Sequence, residues 1–215
     1  MFVAAAKKVE DAMYGIKCQN RKTGSMCFGT GFAFNERYIL TCAHLVFDKN
    51  DISLQMHDSF YAILDKNLGD LFFECRLVAL DDQLDLAVLE IISDEDYNYD
   101  YLSLSKYNPK IGEEHGSYGY PLCEMDQDTG VINYPKRFKA HYISRFNSIF
   151  DMEIDTVIVS GSSGSPVFNS YGIISGIIFG YNEGTEVKKF QSGGVKTTEA
   201  IQVFLSHYGI PYTIV

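Results

Sequence analysis

The stretch Gly161-Ser162-Ser163-Gly164-Ser165-Pro166-Val167 is a short turn of serine and glycine between two apolar runs. Two glycines bracket Ser163, and glycine permits the backbone angles that project a side chain out of a tight turn. Such a turn also directs backbone amides into one concavity, here those of Gly161 and Ser163, with Ser162 as a third candidate. The stretch therefore predicts a nucleophilic Ser163 beside an oxyanion hole, although most isolated Ser/Gly turns are only turns.

Two motifs upstream of this turn supply the groups that a nucleophilic serine requires. A neutral serine needs a general base, normally a histidine, and the histidine needs a carboxylate that holds it in one tautomer. His44 follows a β-like run that ends near residue 41, and Asp85 opens a strongly apolar run. Either residue alone would usually be an ordinary turn or surface residue. The order His44, Asp85, Ser163, with spacings of 41 and 78 residues, instead predicts a catalytic triad assembled from distant parts of the chain.

Short apolar runs bounded by turn residues recur along the chain and predict β-strands rather than helices. They lie at 29–40 (two runs around a turn at 35–37), 70–80, 84–92, 116–121, 139–146, 156–160, 166–168 and 172–179. The C-terminal region differs, because Thr197 or Thr198 can cap a helix that reaches His207, with Gly209 and Pro211 as stop signals. A second short helix is expected near residues 4–13. The pattern is typical of an all-β protein with one terminal helix.

Composition excludes several classes of protein. The chain has 215 residues, of which 46% are hydrophobic and 21% are charged, which is far too apolar for a disordered protein. No apolar run approaches the ~18 residues that a membrane-spanning helix needs. The formal net charge of −10 argues against a general nucleic-acid surface, which requires a basic stripe. We therefore expect neither nucleic acid nor membrane as a partner.

Nothing in the sequence indicates a metal, an organic cofactor or export. The cysteines are scattered, and we expect unlinked, mostly buried thiols: Cys18, Cys27, Cys42, Cys75 and Cys123. The remaining histidines lack the spacing of metal ligands, so we expect them to be structural or exposed: His57, His115, His141 and His207. The first 13 residues have no apolar core of signal-peptide length. Together with unlinked thiols, this predicts a cytoplasmic protein.

Six short motifs give the chain its resemblance to the trypsin-fold serine peptidases, in particular to the HtrA/Deg-like bacterial peptidases. They lie at 29–34, 41–44, 85–89, 116–121, 161–166 and 175–179, and so cover nearly the whole chain. In that order they resemble the glycine-rich strand of the first barrel, the histidine motif, the aspartate strand, a second-barrel strand ending in Gly-Tyr-Pro, the nucleophile loop and the strand that lines the substrate cleft. Each motif alone is weak, but six in the family's order are a strong signal.

The resemblance implies an all-β fold of two antiparallel six-stranded β-barrels with a C-terminal helix. It places His44 and Asp85 in an N-terminal barrel, residues 1–95, and Ser163 in a C-terminal barrel, residues 112–196. A connection at 96–111 would link the barrels, and a helix at 197–209 would follow them. The implied activity is that of a serine endopeptidase that cleaves protein or peptide substrates in the groove between the barrels, without a metal or cofactor.

The resemblance also implies which residues bind the substrate: Val157, Ile158, Ile178, Phe179, Gly180 and Tyr181. None of them is acidic, and a buried cationic group needs a partner charge. We therefore expect an apolar or small residue before the scissile bond. The backbone of residues 178–180 is expected to pair with the substrate as an added strand.

Departures from the family pattern bear on regulation. Ser165 stands where the family usually has glycine. Ser162 stands where digestive enzymes have an aspartate that pairs with a newly cut N-terminus, so activation by that ion pair is not expected. We expect no PDZ domain after the helix and therefore no regulation through such a domain.

Three other interpretations stay open at the level of sequence. An α/β-hydrolase would carry G-x-S-x-G followed by a helix, whereas here Ser165 takes the last position and a strand is predicted next. An inactive trypsin fold would serve as a binding module, although an intact triad argues against this. A dormant peptidase would need an activating protein partner, for which the acidic segment 94–100 is a candidate docking surface.

Overall fold

Two closed antiparallel β-barrels, each of six strands, dominate the structure. The computed structural model describes residues 2–47, 56–66, 69–92, 100–121, 124–125, 132–133, 136–156, 158–182 and 192–215. Helix α1 (Val3–Glu10) precedes the first barrel, whose strands are β1 (Met13–Gln19), β2 (Met26–Ala33), β3 (Tyr38–Thr41), β4 (Ser59–Lys66), β5 (Gly69–Asp81) and β6 (Leu86–Ile91). They close in the order β1-β2-β3-β6-β5-β4.

The second barrel is built in the same way from the C-terminal half of the chain. Its region contains β7 (Glu114–Gly119), β8 (Glu124–Met125), β9 (Ile132–Asn133), β10 (Arg137–Phe146), β11 (Asp151–Ile154), β12 (Pro166–Phe168), β13 (Ile174–Asn182) and β14 (Ser192–Thr197). Strands β8 and β9 form a separate two-stranded sheet, and the other six close in the order β10-β11-β14-β13-β12-β7. Helix α2 (Thr198–His207) follows. The predicted all-β fold of two six-stranded barrels with a C-terminal helix is confirmed.

Three apolar clusters hold this arrangement together. One fills the first barrel around Ile16 and Leu89, and a smaller one fills the second barrel around Ile143 and Val195. The third joins Phe32 of the first barrel to residues of the second barrel and of both helices. Because this third cluster spans both barrels, burial of its apolar surface fixes one barrel against the other.

Local signals located most elements correctly. The run at 84–92 contains β6, all six residues of which are buried, and the turn at 35–37 is closed by Asn35, whose side chain accepts from the amides of Arg37 and Tyr38. Thr197 caps α2 by accepting from the Ala200 amide at 3.3 Å. The predicted helix near residues 4–13 is α1, which ends three residues earlier. These elements depend on turn and cap chemistry that is local in sequence.

The strand predicted at 156–160 is wrong. In the described part of this segment the chain forms bends and a turn, and the strand lies earlier, at β11. The sequence pattern did not indicate β11 because this strand is acidic: Glu153 is buried in the middle of it. Burial raises the pKa of Glu153, but hydrogen bonds from Arg145, Asn147 and Ser192 outweigh this and lower it to about 2. A charged residue paired in this way tolerates a strand interior that its type alone disfavours.

The thiols follow the prediction where the structure describes them. Cys18 lies directly opposite Cys27 in the β1–β2 ladder, yet these two, Cys42 and Cys75 form no disulfide. Burial raises the pKa of Cys75 to about 12 and that of Cys18 well above its usual value, so both remain protonated. Cys123 lies outside the described residues.

Candidate active site

The first barrel brings His44 and Asp85 into direct contact. His44 lies on a single 3-10 turn, Ala43–Leu45, that follows β3, and Asp85 immediately precedes β6, the strand that pairs with β3. His44 Nδ1 is 2.7 Å from Asp85 Oδ2. The His44 backbone amide donates to Asp85 Oδ1 at 2.8 Å, and the Ala43 amide donates to the Asp85 carbonyl at 3.2 Å. Asp85 therefore binds both the ring and the backbone of the histidine.

The backbone of Asp85 has an unusual conformation. Its φ is 54°, and it is the only non-glycine residue with positive φ in the part of the chain that the structure describes. Aspartate enters this left-handed region more readily than most residues, but still at a cost of about 1 kcal/mol. Such a conformation persists where its surroundings over-determine it. Here the three hydrogen bonds to the Ala43–His44 segment hold it, and the carboxylate is thereby turned onto the imidazole.

The second barrel supplies Ser163 on two successive tight turns. The Ser162 amide donates to the Val159 carbonyl at 3.1 Å, and Gly161, the third residue of this turn, has φ +86°. A positive φ at that position defines a type II turn and requires glycine. In the next turn the Ser165 amide donates to the Ser162 carbonyl at 3.0 Å, and Gly164, again the third residue, has φ +90°.

Hydrogen bonds distinguish the amides of this loop. The Gly164 amide donates to the Ile178 carbonyl at 2.8 Å, and the Ser162 and Ser165 amides close the two turns. Within the described ranges, the amides of Gly161 and Ser163 donate to no protein acceptor. These two were the amides predicted to hold an oxyanion. Ser162, the third candidate, is corrected: its amide is occupied by its own turn.

One cavity of about 480 Å³ contains both His44 and Ser163. Its other lining residues come from both barrels: Cys27, Phe28, Leu45, Ile158, Val159, Ser160, Gly161, Phe179 and Gly180. Asp85 does not line this cavity, but it is bonded to His44, which does. Ser162 lines a different cavity, of about 330 Å³, together with Ser165 and Phe138. The structure thus places an imidazole, a hydroxyl and two unoccupied amides around one groove.

The predicted substrate-binding residues divide into three groups. Ile158, Phe179 and Gly180 line the groove. Ile178 lines the other cavity, that of about 330 Å³; its amide donates to the Ser165 carbonyl and its carbonyl accepts from the Gly164 amide. The backbone of Ile178 is thus used within the protein, and the pairing of residues 178–180 with a substrate as an added strand stays a prediction. Val157 lies outside the described residues, as does the side chain of Tyr181.

Phe179 lies at a bulge in β13. The β13–β14 register shifts between Ile178 and Gly180, which leaves Phe179 as the bulged residue without a partner in β14. Its ring lies over the ammonium of Lys196, 4.6 Å from Nζ to the ring centre, and that ammonium is bound by Asp151 at 2.6 Å. Bulges commonly redirect a side chain next to a binding site, and this one turns Phe179 into the wall of the groove.

The only group of potential metal-ligand atoms found among the described residues belongs to the same site. Ligand atoms of Cys42, His44 and Asp85 lie within 4.8 Å of one another. However, the Cys42 thiol donates to the Ile178 carbonyl at 3.2 Å, and His44 and Asp85 are bonded to each other. Because these potential ligand atoms already form hydrogen bonds within the protein, the arrangement fits a His–Asp pair better than a metal centre. That the protein needs no metal or cofactor stays a prediction.

Two of the remaining histidines lie in the core of the second barrel, as expected of structural residues. His115 and His141 are opposite each other in the β7–β10 ladder and are buried. His115 Nε2 is 2.9 Å from the Ser175 hydroxyl. Burial lowers the pKa of His115, and it lowers that of His141 to about 4. Both are therefore neutral at physiological pH, and neither lines the groove.

A two-barrel fold with a histidine–aspartate pair on one barrel and a glycine-bracketed serine on the other defines the chymotrypsin-like class of proteins. The family model of the trypsin-like peptidase domain matches residues 29–177. The chain belongs to this family, the trypsin-like serine proteases, which are hydrolases. The resemblance inferred from the six motifs is confirmed.

Particular relatives support the same assignment. The chain is 28% identical, over 152 residues, to a probable periplasmic serine endoprotease DegP-like protein of Hahella chejuensis; the match covers 69% of this chain and 29% of the relative. The chain thus spans less than a third of that relative's length. Among solved structures, the active form of the Rv3671c protease from M. tuberculosis has a TM-score of 0.73 at 19% identity, covering 98% of this chain and 86% of that one. The serine endoprotease from Yersinia pestis has a TM-score of 0.71 at 21% identity, covering 97% and 66%.

In the described segments, no helix is long and apolar enough to cross a membrane, whereas the Hahella relative is named as periplasmic. The cytoplasmic location stays a prediction, as does the absence of nucleic-acid and membrane partners.

Proposed function

We propose that this protein is a serine endopeptidase that cleaves peptide bonds with the triad His44, Asp85 and Ser163. One observation carries the proposal: the groove between the barrels holds His44, bonded to Asp85 at 2.7 Å, together with Ser163. The unoccupied amides of Gly161 and Ser163 accompany them. A nucleophile, a base oriented by a carboxylate and a pair of oxyanion donors are the parts that acyl transfer requires.

The contacts of His44 support a role as general base. Because Asp85 Oδ2 accepts from Nδ1–H, the neutral ring carries its lone pair on Nε2, where it can accept the Ser163 proton. The Ser163 oxygen attacks the substrate carbonyl, and the resulting oxyanion binds the Gly161 and Ser163 amides. His44 then donates its proton to the leaving amine. Water, deprotonated by His44, hydrolyses the acyl-enzyme and regenerates Ser163. Asp85 stabilises the imidazolium in both halves of the reaction.

The groove walls support the proposed preference for an apolar or small residue before the scissile bond. Among the described lining residues none is acidic, and Ile158 and Phe179 present apolar surface. Lys196 lies behind the Phe179 ring, but its ammonium is paired with Asp151, and neither residue lines the groove. A lysine or arginine side chain would be desolvated there without a partner charge.

The type II turn at Val159–Ser162 favours a competent resting enzyme over a dormant one. Type I and type II turns differ by a flip of the central peptide, here Ser160–Gly161, and that flip decides where the Gly161 amide points. With φ +86° at Gly161, the amide is unoccupied without any partner chain. We therefore propose that no activating protein is needed. The segment 94–100, the candidate docking surface, lies largely outside the described residues.

Labelling with a fluorophosphonate probe, in the absence of any partner, tests this function. We expect one adduct on the wild type by intact mass and none on Ser163→Ala, because the probe reacts only with an activated serine beside a formed oxyanion hole. Ser162→Ala is the matched control, since it removes the neighbouring hydroxyl and keeps the backbone amide; it should be labelled like the wild type. An unlabelled wild type, or equal labelling of Ser163→Ala, would contradict the proposal.

Cleavage of a random peptide library tests the preference separately. We expect cuts after apolar or small residues, with those after lysine and arginine reduced by about 10-fold or more, the discrimination expected for an unpaired buried charge. Products are identified by mass spectrometry, with the Ser163→Ala variant as the blank. A profile dominated by lysine and arginine would overturn the preference while leaving the peptidase assignment intact.

A further inference from the structure

Thr30 connects the first barrel to the nucleophile loop of the second. It lies in β2, is completely buried, and was not singled out by the sequence motifs beyond its place in the glycine-rich strand. Its amide donates to the Ser163 carbonyl at 2.8 Å, and its hydroxyl donates to the Gly161 carbonyl, also at 2.8 Å. One residue of the first barrel thus binds two carbonyls of the loop that carries the proposed nucleophile.

The hydroxyl of Thr30 has no rotational freedom. It accepts from the Tyr120 amide at 3.0 Å while it donates to Gly161, so both functions of the single hydroxyl are used. The Thr30 carbonyl accepts from the Thr41 hydroxyl at 2.7 Å. Thr30 is therefore held on the first-barrel side and cannot turn away from the loop.

These bonds fix alternate peptide groups of the loop. The Gly161–Ser162 peptide is bonded at its carbonyl by the Thr30 hydroxyl and at its N–H by Val159. The Ser163–Gly164 peptide is bonded at its carbonyl by the Thr30 amide and at its N–H by Ile178. The Ser162–Ser163 peptide, which lies between these two, carries the Ser163 N–H. The Ser160–Gly161 peptide, which precedes them, carries the Gly161 N–H. Those two N–H groups are the ones left unoccupied.

We propose that Thr30 is a positioning residue that aligns the Gly161 and Ser163 amides as an oxyanion hole. Of its two hydrogen bonds to the loop, the one donated by its hydroxyl is the one that a substitution can remove. The inference rests on the proposed peptidase function. An oxyanion hole acts only when both donors point to the same site with good geometry. Without the hydroxyl, the Gly161 carbonyl is released, the turn is held to the first barrel only through Ser163, and the Gly161 amide loses its fixed direction.

The test compares Thr30→Val, which replaces the hydroxyl with a methyl group of similar size, with Thr30→Ser, which keeps it. We expect Thr30→Val to lower kcat and the fluorophosphonate labelling rate by about 10- to 100-fold, somewhat less than removal of an oxyanion donor outright. KM should change by less than about 3-fold, since the groove walls are untouched. Thr30→Ser should remain within about 3-fold of the wild type in both rates.

Thr197→Val controls for the loss of a buried hydroxyl as such. The Thr197 hydroxyl is also buried, donates to the Ile149 carbonyl at 2.7 Å and accepts from the Ala200 amide at 3.3 Å. Thr197→Val therefore removes one donated and one accepted hydrogen bond, as Thr30→Val does, but outside the groove. We expect both valine variants to lower the Tm to a similar extent, and only Thr30→Val to lower kcat. Equal kinetic effects of the two variants, or an unchanged kcat in Thr30→Val, would overturn the proposal.

Hydrogen exchange separates this proposal from the peptidase function itself. In Thr30→Val, amides in peptides spanning 158–166 should exchange faster than in Thr197→Val, whether or not the wild type is labelled by the probe. If the wild type proves inactive, faster exchange still supports the positioning contacts. Unchanged exchange in that case overturns them.

Discussion

Replacing His44 with alanine is expected to lower kcat for peptide cleavage by about 10⁴- to 10⁶-fold, with little change in KM. Without the imidazole, Ser163 has no group to accept its proton and the leaving amine has no donor. The measurement is steady-state hydrolysis of a peptide chosen from the library profile. Loss of both kcat and labelling, with an unchanged Tm, is the expected signature of a missing base in a folded protein.

Asp85→Asn should lower kcat by about 10⁴-fold through a different cause. The amide oxygen can still accept from the His44 backbone amide, so the turn is kept. The amide nitrogen, placed against Nδ1, forces the proton onto Nε2, which is then no longer a base. Asp82→Asn, an exposed carboxylate in the same turn, is the matched control and should stay within about 3-fold of the wild type. Full activity in Asp85→Asn would refute the assigned role of the carboxylate.

Gly164→Ala is expected to disrupt the join between the barrels, because no space exists for a side chain. A Cβ atom there would lie 1.7 Å from the Thr30 carbonyl oxygen and 2.8 Å from the Thr41 hydroxyl. The φ of +90° adds backbone strain. We expect a loss of about 3–5 kcal/mol in the free energy of unfolding by urea, from steric displacement and strain together, and at least about 100-fold slower labelling.

Gly112→Ala separates the effect of backbone strain from that of steric displacement. Gly112 has a similar φ of +79°, but no other atom lies within 4 Å of the place that a Cβ atom would take there. It should lose only about 1–2 kcal/mol, the cost of the left-handed conformation alone, and should be labelled at the wild-type rate. If Gly164→Ala were as stable and as reactive as Gly112→Ala, the tight contact between Thr30 and the loop would not exist in solution.

Much of the fold was predictable because its signals are local. Asn35 closes its turn with its own side chain, Thr197 caps α2, and the apolar run of β6 is buried along its whole length. The strand predicted at 156–160 failed for the opposite reason. Its apolar residues enter the tight turn at Gly161, whereas the acidic β11 is stabilised by Arg145, Asn147 and Ser192, which a strand propensity does not represent.

The candidate site likewise has features that are local in sequence and features that depend on the folded chain. Residue types and their order predicted a candidate triad of a histidine, an aspartate and a glycine-bracketed serine, because nucleophile, base and turn glycines are recognisable one by one. The folded chain was needed to show which amides are unoccupied, that the backbone of Ile178 is used by the nucleophile loop, and that Thr30 holds Gly161 from the opposite barrel. These hydrogen bonds join segments far apart in the chain, as the 131 residues between Thr30 and Gly161 show. Their partners meet only once both barrels have closed and packed, so no local pattern can encode them.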